Sequence, residues 1–251
     1  MSIEREKASG AVTVLRMAHG PVNALDLELL EALRAEIAGC AAEGTAVVLT
    51  GWGRALSAGV DLRRILDGGA DYVGRYIPTL CGAFDDLFRY PRPLVVACNG
   101  HAIAGGCVIV CAGDYRLMAD GRGRIGLPEL LVGVPFPAIA TEAVRFATGD
   151  RGVQEMLYTG RTWLPAEARE RGIVDEVVAE GELIGAAVAR AEQLAAIPAG
   201  AFWHTKWSLR GPVVETVRQR AQADSEMLGM WCSAETREHI GAYVERTFGS
   251  S

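Results

Sequence analysis

No two of the six cysteines (Cys40, Cys81, Cys98, Cys107, Cys111 and Cys232) form a CxxC pair, so the common zinc and dithiol signatures are missing. Most of them sit among apolar residues, where a free thiol behaves as a small hydrophobe. The chain reads as a reduced protein without disulfides or a metal. Histidine is scarce, with four copies, and His19, His204 and His239 have no acidic or cysteine partner at metal-ligand spacing. Ser57 lacks the His–Asp context of a serine nucleophile. Positive charge is also short: 25 Lys and Arg stand against 31 Asp and Glu, a net charge of −6. No basic stripe carries interleaved aromatics, which argues against nucleic acid as a partner. No apolar run approaches the ~20 residues that a bilayer span needs, and residues 1–7 are charged where an export signal would be apolar. A cytoplasmic protein with neither a nucleic-acid nor a membrane partner is expected.

What is present is an ordinary globular composition, half hydrophobic and 22% charged, in a chain long enough for one substantial core. Short apolar runs alternate with helical periodicity, the pattern of an α/β fold. Strands are expected at 11–17, 46–50, 94–98 and 114–119, with a short one at 173–178. A helix over 26–42 is expected from Asp26 as N-cap and from Leu29, Leu30, Leu33 and Ile37 at helical spacing. A short helix over 61–66 should break at Gly68-Gly69, and a second, over 72–89, should stop before Pro91 and Pro93. An apolar helix covers 105–112. From Glu129 the pattern turns mostly helical, at 137–148, 151–159, 165–171 and 180–196. Pro198 marks a boundary, giving a core of 1–197 and a helical region of 198–251 that packs on the core or on a neighbouring subunit.

Two glycine-bearing turns carry the chemistry. Ser57-Ala58-Gly59-Val60-Asp61-Leu62 follows the apolar run 46–50, and Asn99-Gly100-His101-Ala102-Ile103-Ala104-Gly105-Gly106 follows the run 93–98. Glycine after a strand lets bare N–H groups approach a ligand, and two such groups aimed at one point cradle a developing oxyanion. The second turn opens an apolar helix, whose free N–H groups and positive dipole end face the same point.

Together these segments resemble the crotonase superfamily, the enoyl-CoA hydratase/isomerase family. The run from Leu49 to Leu62 is similar to that family's first signature and the run from Asn99 to Cys107 to its second, with Ala104 where many members carry a further glycine. Asn23-Ala24-Leu25, Asp114-Tyr115-Arg116, Pro128-Glu129 and Tyr158-Thr159-Gly160-Arg161 are supporting matches. The resemblance implies a spiral of ββα turns in two nearly perpendicular sheets, with C-terminal helices that serve oligomerisation as a homotrimer or homohexamer. It implies an acyl-CoA thioester as substrate, with coenzyme A entering as part of that substrate and no separate cofactor. The backbone N–H groups of Val60 and Gly105 would form the oxyanion hole. Ala58, Gly59, Asp61 and Leu62 would border the adenine and pantetheine, with Gly106 and Val108 beside the substrate. Lys206 resembles a basic position that meets coenzyme A phosphates.

One departure from the family pattern bears on the reaction. Family hydratases place a glutamate two residues past the last turn glycine, and this chain has Val108 there. The second glutamate of the pair corresponds to Glu129. Valine neither donates nor accepts a hydrogen bond, so a water molecule would lose half its clamp. One carboxylate still suffices to take a proton from the carbon beside a thioester and return it two carbons along. Gly105-Gly106-Cys107-Val108 followed by Ile125-Gly126-Leu127-Pro128-Glu129 is most similar to the Δ3,Δ2-enoyl-CoA isomerases, with Glu129 as sole acid and base. Apolar neighbours such as Val108 and Leu130 should raise its pKa. Two other readings stay open: hydration, decarboxylation or C–C cleavage on the same fold, and a non-catalytic acyl-CoA binder. Asp114 and Arg116 read as a structural ion pair or turn, His101 as turn filler, Glu142 as part of a solvated helix face, and Trp203, Trp207 and Trp231 as core or subunit contact. Leu25, residues 72–84 and Phe136 are expected to shape the acyl pocket.

Overall fold

A strand with no solvent face needs pairing partners at both edges and cover on both faces. The apolar runs at the centre of the chain meet that demand by pairing in parallel. The computed structural model describes residues 2–248. Strands β1 (Ile3–Lys7) and β2 (Val12–Met17) form an antiparallel hairpin, followed by α1 (Leu27–Glu43), β3 (Ala46–Gly51), β4 (Ala55–Ser57) and α2 (Leu62–Phe88). Next come β5 (Leu94–Cys98), β6 (His101–Ile103), α3 (Gly105–Cys111), β7 (Tyr115–Ala119), β8 (Ile125–Gly126), α4 (Glu129–Val132) and α5 (Ala138–Thr159). Then follow β9 (Thr162–Trp163), α6 (Pro165–Glu170), β10 (Glu176–Val178), α7 (Leu183–Ala195) and the C-terminal helices α8 (Ala199–Gln219), α9 (Ala221–Trp231) and α10 (Ala234–Phe248).

The six-stranded sheet has the order β1-β2-β3-β5-β7-β10 and the four-stranded sheet the order β4-β6-β8-β9. Each successive strand pair (β3 and β4, β5 and β6, β7 and β8) therefore gives its first strand to the large sheet and its second to the small one before a helix follows. That is the expected ββα spiral, a mixed α/β fold closed by C-terminal helices. Alternation along the strands divides the core, because successive Cβ atoms face opposite ways. Val47 and Leu49 join the main core under α1, α2 and α3. Ala46 and Val48 face the other way, onto Leu183, Ala187 and Ala191 of α7.

Three differences from the sequence expectation have plain causes. Strand β1 was not expected: only Ile3 of its five residues is buried, and Glu4, Arg5, Glu6 and Lys7 make a charged edge, which blunts edge-to-edge pairing. The helices expected at 61–66 and 72–89 run together as α2, with the break surviving as a kink at Gly69, where φ is +58° and ψ −154°. Likewise, the helices expected at 137–148 and 151–159 form α5 around a kink at Gly149. Asp26 caps α1 as expected, accepting from Leu29 N at 2.8 Å, while its second oxygen lies 2.7 Å from His19 Nε2. No helix among the described residues is long and apolar enough to cross a membrane.

Candidate active site

The two glycine turns meet because the strands that carry them are neighbours: β4 pairs in parallel with β6. Asn99 ties the second turn to the β3–β4 connection, its Oδ1 accepting from Gly51 N at 3.0 Å and its Nδ2 donating to Gly53 O at 2.9 Å. Ser57 braces the first turn, donating to Asn23 O at 2.7 Å and accepting from Gly59 N at 3.0 Å. Gly59 adopts φ +87°, and a Cβ built there would lie 2.6 Å from Ala104 Cβ and 2.8 Å from Ile103 O. A Cβ on Gly106 would lie 2.5 Å from Ser57 O. Only glycine allows this approach.

The contact leaves two amides free. Leu25 bridges Val60 in parallel, its N–H donating to Gly59 O at 2.7 Å and its carbonyl accepting from Asp61 N at 3.1 Å. Those bonds flank Val60, so its own N–H points away from Leu25. Gly105 is the first residue of α3, where an N–H has no acceptor within the helix. Among the described residues, neither amide has a hydrogen-bond acceptor. Ala104 holds φ +54° and ψ −125°, a conformation that favours glycine and costs an alanine ~1–3 kcal/mol.

Beside the turns lies a cavity of about 470 Å³. Its walls are apolar, with Val60, Ile103 and Ala104 from the turns, Val132 at the end of α4, Val134 after it, and Trp231 from α9. Its charged groups are Asp61, Arg63 and Glu129. Asp61 is engaged as the N-cap of α2, accepting from Arg64 N at 3.1 Å. Glu129 opens α4 directly after Pro128 and is 9% exposed. Its Oε2 is buried without a hydrogen-bond partner among the described residues. Burial pushes its carboxyl up to about 8, against a smaller opposing pull from its own backbone N–H. A carboxyl poised there can both accept and return a proton near neutral pH.

Of the residues singled out from sequence, Ala58, Val60, Asp61, Leu62 and Glu129 line this cavity. Gly59, Gly105 and Gly106 form the turn backbone behind them. Val108 corrects its expectation: it is 1% exposed and packs into the main core rather than lining the cavity. Lys206 is a second correction. It is 6% exposed, its Nζ lies 2.7 Å from Asp114 Oδ2, and it lines a different pocket, beside Phe202 and Leu209. The cause is ion pairing of α8 to the core: Arg210 Nη2 also reaches Asp114, at 3.0 Å. Asp114 therefore does not pair with Arg116, which instead grips Asp175 at 2.6 Å.

Glu142 is 5% exposed rather than solvated, lying 3.2 Å from Arg145 and 2.8 Å from Arg220. His101, read as turn filler, accepts from Arg124 N at 3.2 Å. Trp203 and Trp207 stack at 5.3 Å, whereas Trp231 stands apart in the cavity wall with Tyr243 and Val244. Those three were not expected there. Leu25, residues 72–84 and Phe136 do not line the cavity. Leu25 is core, with its Cδ1 2.7 Å from where a Cβ on Gly105 would stand. Among the described residues no group of three or more His, Cys, Asp or Glu could hold a metal.

A family model described as Enoyl-CoA hydratase/isomerase matches residues 7–248. Human mitochondrial enoyl-CoA delta isomerase 1 is 30% identical over 244 residues, spanning 95% of this chain and 81% of its own. The crystal structure of human mitochondrial delta3-delta2-enoyl-CoA isomerase matches with a TM-score of 0.92 at 28% identity, over 98% of each chain. An enoyl-CoA hydratase from Mycobacterium ulcerans Agy99 matches with a TM-score of 0.84 at 26% identity, over 90% of this chain and 99% of its own.

Proposed function

The protein belongs to the enoyl-CoA hydratase/isomerase family, and from that membership we propose that it is an enoyl-CoA isomerase in which Glu129 is the sole acid and base. The single observation that carries this reading is the buried, unpartnered carboxyl oxygen of Glu129 in a largely apolar cavity beside the turns that carry two free amides. The thioester carbonyl of a 3-enoyl-CoA accepts from the N–H groups of Val60 and Gly105. Glu129 takes a proton from C2, and the electron pair moves into the conjugated enolate, whose oxygen charge the amides stabilise. Glu129 then returns the proton to C4, leaving the double bond between C2 and C3. Atoms and charge balance with no cofactor beyond the coenzyme A carried by the substrate. Residues 58–62 border the coenzyme A arm. Hydration needs a second group to orient water, and the residue two past Gly106 is Val108, an apolar core residue. We further propose a homotrimer, singly or paired as a hexamer, acting in the cytoplasm.

Purified protein mixed with a 3-enoyl-CoA should develop the ultraviolet absorbance of a conjugated thioester, and Glu129→Gln should abolish it. Binding of acyl-CoA without any absorbance change would overturn the isomerase reading in favour of a non-catalytic binder. Loss of absorbance from a 2-enoyl-CoA would show hydration instead.

A further inference from the structure

Part of the cavity wall comes from the far end of the chain. Trp231 is the last residue of α9, and Val244 lies on α10. The indole is 4% exposed, and its Nε1–H donates to Pro135 O at 3.0 Å, six residues beyond Glu129. Two further contacts hold α9 against the same stretch: Asp224 Oδ1 accepts from Ala138 N at 2.8 Å, and Arg220, just before α9, lies 2.8 Å from Glu142. Residues 220, 224 and 231 thus meet 142, 138 and 135 in turn, so α9 lies antiparallel to that stretch and the indole is held by its own bond and by the helix that carries it. A chain that displaced the ring would break the bond to Pro135 and leave a buried N–H without an acceptor. The same cavity is lined by Val132, Val134, Tyr243 and Val244.

We propose that Trp231 is a specificity-determining residue, a fixed stop that restricts the acyl group to hydrocarbon chains of short or medium length. The inference rests on the acyl-CoA reading above and adds to it the class of acyl group. A cavity of about 470 Å³ lies low in the roughly 300–1,000 Å³ span of small-molecule sites. The acyl group must share it with the reacting end of the thioester. Lengthening the chain gains affinity by apolar burial until it meets the indole, and beyond that point each added carbon works against the ring.

The test is titration calorimetry of the full chain with saturated butanoyl-, octanoyl- and dodecanoyl-CoA, which bind without reacting. Wild type should bind octanoyl-CoA most tightly and dodecanoyl-CoA at least tenfold more weakly. Trp231→Ala should bind dodecanoyl-CoA at least tenfold more tightly than wild type does. Val244→Phe, which adds bulk to the same wall, should weaken octanoyl-CoA more than butanoyl-CoA. It decides the matter should Trp231→Ala fail to fold. Wild-type affinity that keeps rising through dodecanoyl-CoA, equal losses across all three ligands in Trp231→Ala, or an unchanged length profile in Val244→Phe would overturn the proposal. Length-graded binding without turnover of a 3-enoyl-CoA would overturn the isomerase reading and support the stop. No binding of any acyl-CoA by folded protein would overturn both.

Discussion

Gly59 and Ala104 lie so close that a methyl group on the glycine would stand 2.6 Å from the alanine Cβ. The contact joins the two turns that carry the acceptor-free amides of Val60 and Gly105. With φ at +87°, Gly59 has no tolerated replacement. Gly59→Ala should cost ~1–3 kcal/mol in backbone strain alone and push the turns apart. Isomerisation of a 3-enoyl-CoA should fall at least tenfold through kcat, read alongside thermal unfolding to show that the variant is folded.

Ala104 presents the opposite case, a side chain where glycine is favoured. Ala104→Gly relieves the strained φ of +54° and gives back part of that gain in unfolded-state entropy. A net stabilisation of about 1 kcal/mol is expected, a rise of ~2–4 °C in Tm for a chain of this size. Differential scanning calorimetry reads it directly.

Glu129 titrates at about 8 because burial disfavours its charge. As a base it must be ionised, so kcat/KM should rise about tenfold per pH unit below 8 and level off above. Its folded pKa is raised above the ordinary carboxylate value, so its contribution to stability is fully present below ~4.5 and is lost as pH climbs through 8. Glu129→Gln removes that slope. The variant should therefore be more stable than wild type at pH 9 and similar to it at pH 5, as measured by urea unfolding at both pH values.

Lys206 and Arg210 both compensate Asp114 in the interior. Asp114→Asn leaves two buried cations without a counter-charge and should cost ~3–5 kcal/mol, a fall in Tm of roughly 10 °C. Lys206→Met should lower Tm less, because Arg210 still meets Asp114. Neither change should alter KM for coenzyme A substrates. A raised KM in Lys206→Met would restore the phosphate-binding role that its sequence context suggested.

The large sheet was legible because runs such as 46–51 and 94–98 are short, almost wholly apolar and rich in β-branched residues, as strands buried at every position require. The turns were legible because their glycines answer a steric demand that no other residue meets. Strand β1 was not, since an exposed edge strand selects charge in place of hydrophobicity, and β8 and β9 are two-residue pairings set by their partners rather than by propensity. Glu129 could be named from its motif. Trp231 and Val244 could not, because a buried stripe on a helix has the same spacing whether it faces a neighbour or an empty space. Lys206 misled for a related reason: a lysine among aromatics reads as a surface group until its carboxylate partner, 92 residues away, is brought beside it.

Trp231 on α9 and Val244 on α10 make the enclosure of the cavity depend on the C-terminal helices, although both glycine turns and Glu129 lie far upstream. A truncation after α8 would keep the turns and the carboxyl yet open that wall to water. The burial that raises the Glu129 carboxyl is thus a joint property of segments about a hundred residues apart.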